Sequence, residues 1–199
     1  MITIGLTGGI AAGKSVVSRL LAEHGAHVVD VDKVAQEAYA KGTEGFEQIT
    51  AYFGTQIVGA DGEVDRRKLG GLVFGQPEQL QKLTEIVWPL TRARLEEIKA
   101  AADANAGVLV FEAAVLIEAG WWDLVDQVWV VTAPVDLARA RLIARNGFSR
   151  EQADARINSQ MTNEERLTFA DVVIENAGDL ESLKARVDAA WTALTANVG

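Results

Sequence analysis

The 199-residue sequence contains no cysteine, and this absence excludes a disulfide framework, a thiolate metal site and catalysis by a cysteine nucleophile. It also lacks any apolar run of the ~18 residues that a membrane-spanning helix needs. Positive charge is scarce, because 28 acidic residues outnumber 19 lysines and arginines and leave a formal net charge of −9. No basic face for nucleic acid is visible. We therefore expect neither a membrane nor a nucleic acid as a partner.

What the sequence does contain is typical of a compact protein. Hydrophobic residues make up 49% of the chain, which is enough for a sizeable core, and the length suits one domain with a small insertion. No basic segment precedes residues 2–7, so we expect this stretch to be the first strand and not a leader. These features favour the cytoplasm. His24 and His27 lack metal-ligand spacing with other residues, and we expect them to be structural or exposed.

The most specific motif runs from Gly8 to Ser15 (GGIAAGKS) and fits the phosphate-binding loop pattern G-x-x-x-x-G-K-[ST]. An apolar strand precedes it, and apolar residues at helical spacing follow it. In this arrangement, backbone N–H groups of the loop and of the helix N-terminus point at phosphates. We expect Lys14 to reach the β- and γ-phosphates of a nucleoside triphosphate, and the Ser15 hydroxyl to bind Mg²⁺. The alternative is a glycine-rich turn with an exposed lysine.

Four further apolar segments are predicted to be strands, at residues 26–30, 108–112, 127–132 and 170–175. Helical patterns lie between them, and a last helix is predicted at residues 180–194. Alternation of strands and helices predicts an α/β fold with a mostly parallel sheet and right-handed crossovers.

The segment between the second and third strands is long and contains no convincing strand. Helices are predicted within it at residues 35–40, 46–53, 67–74, 77–87 and 90–102. A crossover needs only about a dozen residues. The additional residues predict a helical insertion, at about residues 33–106 of a single domain spanning 1–199. In phosphotransferases, such insertions commonly hold the phosphate acceptor.

Arginines are concentrated in two predicted helices that Gly147 separates. They are Arg139, Arg141, Arg145, Arg150 and Arg156. Arg141 and Arg145 are four residues apart and share a helix face. Beside a triphosphate site, this pattern predicts a mobile lid at about residues 136–165, since guanidinium groups clasp phosphate oxygens in two places. We expect Arg141 to be exposed without a ligand and to meet phosphate only when the lid closes. The alternative is a solvated, salt-bridged surface, because acidic residues lie nearby.

Three carboxylates lie where predicted strands end, which is where open α/β sheets bind ligands. Asp30 and Asp32 follow the second strand, and one of them suits a general base while the other suits a helix N-cap. We favour Asp32 as the base, because it lies further beyond the strand. Glu112 ends the third strand, where it suits either an approach to Mg²⁺ through water or the capping of a loop.

Further segments complete a pattern that covers nearly the whole chain. They are DVD (30–32), DGEVDR (61–66), VLIE (115–118), Arg141, Arg145, Ser149 and Gln160 in the lid, and ADVVIEN (170–176). With the opening IGLTGGI and GKS, their order and spacing resemble those of the dephospho-coenzyme A kinase family.

The resemblance implies a three-layer P-loop kinase fold: a five-stranded parallel sheet in the order 2-3-1-4-5, with a helical insertion and a lid. It implies that ATP phosphorylates the ribose 3′-hydroxyl of dephospho-CoA, giving CoA and ADP in the last step of CoA biosynthesis. It also implies a role for each matching residue. Lys14, Asp32 as the base and Arg141 are catalytic; Ala11, Ala12, Gly13, Lys14, Ser15, Val16 and Arg145 bind ATP; Ser15 holds Mg²⁺; and Asp32 and Arg66 bind the acceptor. We expect a monomer or a weak homo-oligomer.

The chain departs from the family pattern at several positions. Ala11-Ala12 replaces the usual Gly-Ser of the loop, Gln36 stands where histidine is common, and Trp88-Pro89 replaces His-Pro. Trp88-Pro89 and the segment EAAVLIEAGW (112–121) look closer to the kinase domain of animal bifunctional CoA synthase. No adenylyltransferase portion is present, so we expect a free-standing kinase with altered contacts on the acceptor side.

Two other classes of function fit parts of the pattern. A related kinase for a nucleoside, a nucleotide or a sugar acid would share the loop and differ in the helical insertion. A nucleotide-dependent switch or a non-catalytic ATP-binding module would also share the loop. The sequence contains no N-K-x-D guanine motif, and the intact Lys14, Ser15, Asp32 and Arg141 argue against a module without catalysis.

Overall fold

The structure, a computed structural model, describes residues 1–102 and 107–196. The strands are β1 (Ile2–Gly8), β2 (His27–Asp30), β3 (Val108–Glu112), β4 (Gln127–Thr132) and β5 (Val172–Glu175). The helices are α1 (Lys14–Glu23), α2 (Val31–Glu37), α3 (Glu44–Phe53), α4 (Arg66–Val73), α5 (Pro77–Ala101), α6 (Val135–Asn146), α7 (Arg150–Asn158), α8 (Asn163–Leu167) and α9 (Leu180–Ala196). Short 3-10 helices lie at Thr55–Ile57 and Trp121–Leu124. The described residues form two compact units: a sheet unit, of Met1–Asp30 and the residues from Ala102 onward, and a helical unit of Val31–Ala101.

The sheet unit is built on five parallel strands in the order β2-β3-β1-β4-β5, which confirms the predicted topology. β1 lies in the middle, with Ile4 opposite Val110 of β3 on one side and β4 on the other. The three inner strands β1, β3 and β4 are buried over most of their length, as in a parallel sheet that is covered on both faces, whereas β2 and β5 at the edges are partly exposed. The strands predicted at residues 108–112 and 127–132 are confirmed to the residue, and β2 and β5 begin one and two residues later than predicted.

Helices α1 and α9 pack beside each other over the core of this unit. The core joins Ile4 and Trp129 of the strands to Leu21 of α1 and Val187 of α9. His24 follows α1 and fastens it to α9, because its Nε2 lies 2.7 Å from Asp188 Oδ1 and its ring stacks on an α9 tryptophan at 5.3 Å. The prediction of a structural role for His24 is confirmed.

The helical unit contains α2 to α5 and has a core of its own. Its buried residues are Ile49, Phe53, Ile57, Val64, Leu69, Ile86 and Val87. Helix α5 packs on α2, α3 and α4. Side chains cap two of the helices: Thr43 Oγ1 accepts from the N–H of Phe46, and Asp65 Oδ1 accepts from the N–H groups of Arg67 and Lys68. The predicted helical character of this segment is confirmed for its described residues.

One prediction about the helical unit is wrong. Residues 77–87 and 90–102 do not form two helices, because α5 runs without interruption from Pro77 to Ala101 and contains Pro89. Proline removes one N–H from the helix ladder, here the donor to the carbonyl of Glu85. Buried Ile86 and Val87 before it, and Thr91 and Leu95 after it, keep both halves packed. Trp88 lies half-buried on this helix, and residues 103–106, the end of the predicted insertion, lie outside the described residues.

The junction after β2 also differs from the prediction. Helix α2 begins at Val31, four residues earlier than expected, so the chain stops being extended immediately after Asp30. Asp30 is the last residue of β2, whereas Asp32 lies in the first turn of α2. The two carboxylates are therefore held by different elements and do not share one side of a strand.

Among the helices of the described residues, none has both the length and the apolar content that crossing a membrane requires.

Candidate active site

The loop between β1 and α1 has the closed backbone of a phosphate-binding loop. Gly13 ends it in the left-handed region, with φ of 101°, and its carbonyl accepts from the N–H groups of Val16 and Val17 at 3.0 and 3.2 Å. The N–H of Ala12 donates to the carbonyl of Gly9 at 3.1 Å. The remaining N–H groups at the start of α1 have no partner within the helix, and such groups bind anions.

A cavity of about 480 Å³ opens over this loop. Its volume lies within the range of about 300–1,000 Å³ that is usual for small-molecule sites. Residues from β1, the loop, α1, α6 and the segment around β5 and α9 form its wall. They are Gly8, Gly9, Ile10, Ala11, Gly13, Lys14, Ser15, Val16, Ala114, Arg141, Arg145, Gln160, Asn176, Gly178, Asp179, Leu180 and Leu183. The structure thus brings the predicted ATP-binding residues together, except Ala12, which is buried behind the loop.

Lys14 is the first residue of α1, and its ammonium group is paired with a carboxylate. Lys14 Nζ lies 2.8 Å from Glu112 Oε1, and the two side chains are only 16% and 15% exposed. Glu112 ends β3, where its register partner on β1 is Leu6, so the sheet itself sets the position of this carboxylate beside the loop. The pair orients the lysine side chain beside the loop. Whether Glu112 also approaches a metal ion stays a prediction.

Arg141 differs from the expectation of an exposed lid residue. It is half-buried on α6, and its guanidinium already contacts the loop. Arg141 Nη1 donates to the carbonyl of Ala11 at 3.5 Å, and Nη2 donates to Asn176 at 3.1 Å (Oδ1) and 3.3 Å (main-chain oxygen). The expectation that Arg141 is exposed without a ligand is therefore wrong, because loop and strand-end oxygens hold it in place.

Two other lid arginines, Arg145 and Arg139, have different surroundings. Arg145 lies one turn from Arg141 on α6 and lines the same cavity, while its Nε donates to Asn146 Oδ1 at 2.9 Å. Arg139 pairs instead with Asp136 and Asp154, and these hydrogen bonds, above all that with Asp154, raise the pKa of its guanidinium. For Arg139, the alternative prediction of a salt-bridged surface is thus correct. The predicted break between the two helices at Gly147 is confirmed.

Three polar residues of this cavity were not predicted as site residues. Gln160 Oε1 accepts from the N–H of Ile10 at 2.8 Å, and Asn176 Nδ2 donates to the carbonyl of Ala12 at 2.8 Å. Asp179 caps α9 by accepting from Ser182, whose hydroxyl and N–H lower the pKa of the Asp179 carboxyl. Gln160 and Asn176 both belong to the segments quoted above as family-like, and that signal could have identified them.

An ion pair between a buried arginine and a partly exposed glutamate lies beside the start of the loop. Arg166 of α8 is only 2% exposed, and its Nη2 lies 3.4 Å from Glu118 Oε1. Within the described residues, Arg166 Nε and Glu118 Oε2 are buried without a hydrogen-bond partner. A side-chain carbon added at Gly9 would lie 3.4 Å from Arg166 Nη1, so this guanidinium packs directly beneath the start of the loop. The pair supports the loop from below.

The remaining two predicted site residues belong to the helical unit. Asp32 lies in the first turn of α2, and Arg66 is the first residue of α4. Arg66 Nη1 donates to Gln36 Oε1 at 3.3 Å, and Gln36 lies four residues after Asp32 on the same helix face. Burial raises the pKa of the Tyr39 hydroxyl, and the nearby charge of Arg66 partly opposes this effect. The unit therefore gathers a carboxylate and a guanidinium on one face of α2.

The loop offers one hydroxyl ligand, from Ser15, to a divalent cation whose other ligands are phosphate oxygens and water. Ser15 is exposed at the start of α1 and lines the cavity with its neighbours. The described residues contain no group of three or more histidine, aspartate or glutamate side chains arranged to hold a metal ion. A magnesium ion here would take one hydroxyl oxygen from the protein, with phosphate and water as its other ligands, which is the way Mg²⁺ is usually held beside nucleotides.

The alanine at position 11 has a strained backbone conformation. Ala11 has φ of 59°, in the left-handed region that favours glycine, and it is the only residue other than glycine with positive φ among those described. We expect Ala11→Gly to raise the free energy of unfolding by about 0.5–1 kcal/mol, or the melting temperature by ~1–4 °C. Thermal melts check this, with Ala12→Gly as the matched control. Ala12 is buried, so its replacement by glycine should lower the melting temperature. A melting temperature of Ala11→Gly below that of the wild type would contradict the proposed strain at Ala11.

Comparison with known proteins places the chain in one family. The family model for dephospho-CoA kinase matches residues 2–182. A dephospho-CoA kinase of Streptomyces avermitilis is 44% identical over 194 residues, which cover 98% of this chain and 94% of that protein. A crystal structure from Thermus thermophilus superposes with a TM-score of 0.79 at 36% identity and covers 97% of both chains.

A solved dephospho-CoA kinase from Campylobacter jejuni is 25% identical, with a TM-score of 0.76 over 99% of this chain and 98% of that one. The sequence match and the structural match thus extend over the same, nearly complete, length. With its phosphate-binding loop and its five-stranded parallel sheet, the chain is a P-loop kinase that belongs to the dephospho-CoA kinase family.

Proposed function

We propose that this chain transfers the γ-phosphoryl group of ATP to the 3′-hydroxyl of the ribose of dephospho-CoA and releases CoA and ADP. The observation that carries the proposal is the 480 Å³ cavity, where the phosphate-binding loop, Lys14, Arg141 and Arg145 form one wall. Three cations and the N-terminus of a helix converge there, in a protein whose net charge is −9. Such local concentration of positive charge suits a polyphosphate.

The residues of this wall supply what phosphoryl transfer requires of a protein, namely position and charge. Loop N–H groups hold the phosphates, and Lys14 reaches the β- and γ-phosphates. Arg141 and Arg145 neutralise charge that develops on the transferring group, because preorganised donors stabilise a transition state more than they stabilise a mobile ground state. Glu112 keeps the Lys14 side chain folded toward the loop until a phosphate replaces it as partner.

Asp32 takes the proton of the attacking hydroxyl, and Arg66 binds the acceptor. Asp32 follows the carboxyl end of β2 by two residues, and ligands of open parallel sheets bind at that edge. A carboxylate needs only hydrogen-bond reach to act as a general base. Arg66 is held toward the Asp32 face of α2 by Gln36, the residue that departs from the family pattern. The helical unit thus serves as the acceptor-binding insertion, and α6 to α8 serve as the lid.

Mg²⁺ is the cofactor we propose, with Ser15 as its ligand from the protein, and when bound it neutralises phosphate charge. We place the reaction in the cytoplasm, where ATP is available, and propose a monomer or a weak homo-oligomer without a nucleic-acid partner.

The proposal is tested by the product. The purified chain, incubated with ATP, Mg²⁺ and dephospho-CoA, should form ADP and CoA in equal amounts, and mass spectrometry should place the new phosphate on the ribose 3′ position. ADP formed without a phosphorylated acceptor would make the protein an ATPase under these conditions. Phosphate at the 2′ position would contradict the proposal that the 3′-hydroxyl is the acceptor.

A further inference from the structure

One side chain in the described structure joins the phosphate-binding loop to the lid arginine. Asn176 is only 6% exposed and follows β5 directly. Its Nδ2 donates to the carbonyl of Ala12 at 2.8 Å, and its Oδ1 accepts from Arg141 Nη2 at 3.1 Å. Both ends of one amide are thereby used, one toward each partner. The Ala12 carbonyl can only accept and the Arg141 guanidinium can only donate, so this pairing fixes which way the amide faces.

The backbone of Asn176 anchors this amide to the sheet. The Asn176 N–H donates to the carbonyl of Thr132, the last residue of β4, at 2.7 Å. The Asn176 carbonyl accepts a second hydrogen bond from Arg141 Nη2, at 3.3 Å. The arginine of α6 is therefore held by two oxygens of a residue whose position the sheet determines. Rigid elements of this kind place functional groups more precisely than loops do.

The loop has made room for this contact. A side-chain carbon at Gly13 would overlap Asn176 Nδ2, besides being strained at φ of 101°. Glycine at position 13 thus allows the amide to lie flat against the loop backbone. Because Ala12 has its own N–H bonded to Gly9, the Asn176 contact ties the turn of the loop to the end of the sheet.

Building on the function proposed above, we propose that Asn176 is a positioning residue for phosphoryl transfer, which fixes the loop at Ala12 with its nitrogen and aims Arg141 at the phosphates with its oxygens. It makes no covalent step of its own. Its contribution is preorganisation: Arg141 meets the triphosphate without first losing the freedom of a long side chain. An unrestrained guanidinium would bind phosphate in many geometries, few of them productive.

A double-mutant cycle tests this role. Asn176→Leu removes both side-chain hydrogen bonds at similar volume, and Arg141→Met removes the guanidinium. We expect Asn176→Leu to lower kcat about 10–100-fold in the wild-type background, the range for a hydrogen bond to a charged group or a small misplacement of a catalytic one. In the Arg141→Met background, the fold loss in kcat caused by Asn176→Leu should be smaller by a factor of about five or more, because no guanidinium remains for Asn176 to position.

Asn176→Asp distinguishes the two side-chain hydrogen bonds of Asn176, because it keeps the bond with Arg141 and removes the one with Ala12. The carboxylate still accepts from Arg141 but cannot donate to Ala12, and it places negative charge against the loop. We expect this variant to weaken ATP binding more than Asn176→Leu does. Gln127→Leu is the control for folding: it removes a half-buried amide that accepts from Trp129 Nε1 at 2.9 Å, at the opposite end of the strands. It should lower the melting temperature and leave kcat unchanged.

A purely structural role for Asn176 makes different predictions. Asn176→Leu would then behave like Gln127→Leu, with a lower melting temperature and an unchanged kcat, or any fold loss in its kcat would be equal in both Arg141 backgrounds; either result overturns the proposal. The same cycle is read from ATP affinity by calorimetry, without any acceptor, and coupling is expected there too. If the cycle showed this coupling in ATP affinity while the wild-type chain did not phosphorylate dephospho-CoA, the proposed function would be contradicted and the role of Asn176 would stand.

Discussion

Asp32→Asn is expected to leave ATP binding intact and to lower turnover by about 10²–10⁴-fold, the usual cost of losing a general base. Asparagine preserves the shape of the side chain but cannot take the proton of the acceptor hydroxyl. The first turn of α2, where Asp32 lies, tolerates asparagine, so the melting temperature should change little. Steady-state kinetics with dephospho-CoA and calorimetry with ATP measure the two quantities.

Asp30→Asn is the matched control for this experiment. Asp30 carries the same carboxylate two residues earlier, but at the end of β2 and not on α2. We expect its replacement to affect stability more than turnover, because a carboxylate directly before a helix stabilises the N-terminus of that helix. A mild Asp32→Asn together with a damaging Asp30→Asn would reverse the assignment of the two acids.

Lys14→Ala should remove most phosphoryl transfer, with a loss in transition-state stabilisation on the order of 3 kcal/mol or more, that is, about 10²-fold or more in rate. The variant also leaves Glu112 without its partner at 2.8 Å, in a site where the carboxylate is only 15% exposed. An uncompensated carboxylate there would lower stability and repel phosphate. The single variant therefore mixes two effects.

The double variant Lys14→Ala/Glu112→Gln separates them. It removes the negative charge together with the positive one, so its melting temperature should lie closer to that of the wild type, as circular dichroism can show. Turnover should stay as low as in Lys14→Ala if the lysine acts on the phosphates. Recovery of most of the activity in the double variant would mean that Lys14 acts only by neutralising Glu112.

The sheet could be predicted from sequence because its strands β3 and β4 are almost continuous apolar runs. Residues 108–112 and 127–132 have no other reasonable interpretation in an α/β protein, and the structure confirms both to the residue. The loop could be predicted because residues 8–15 place glycine, lysine and serine at the spacings of the phosphate-binding pattern. These features are local, and each is specified by neighbours in the chain.

Features that depend on packing could not be predicted in this way. Pro89 suggests a helix boundary by local rules, yet packing on both sides carries α5 through it. Arg141 was expected to be exposed, and only the fold shows that oxygens of Ala11 and Asn176 hold it. The Asn176 contact with Ala12 joins residues 164 positions apart, and the Gln160 contact with Ile10 joins residues 150 apart. No local pattern reports hydrogen bonds over such separations.

The identity of the acceptor is the central claim, and a substrate panel measures it most directly. With ATP and Mg²⁺ held constant, kcat/KM is compared for dephospho-CoA, adenosine, AMP, uridine, shikimate and gluconate. Contacts remote from the reacting hydroxyl position a large acceptor, so adenosine, which has the same ribose but lacks the diphosphate and pantetheine arm, should react poorly. We predict that kcat/KM for dephospho-CoA exceeds every other value by a factor on the order of 10² or more. No conversion of dephospho-CoA, with clear turnover of any other acceptor in the panel, would contradict the account.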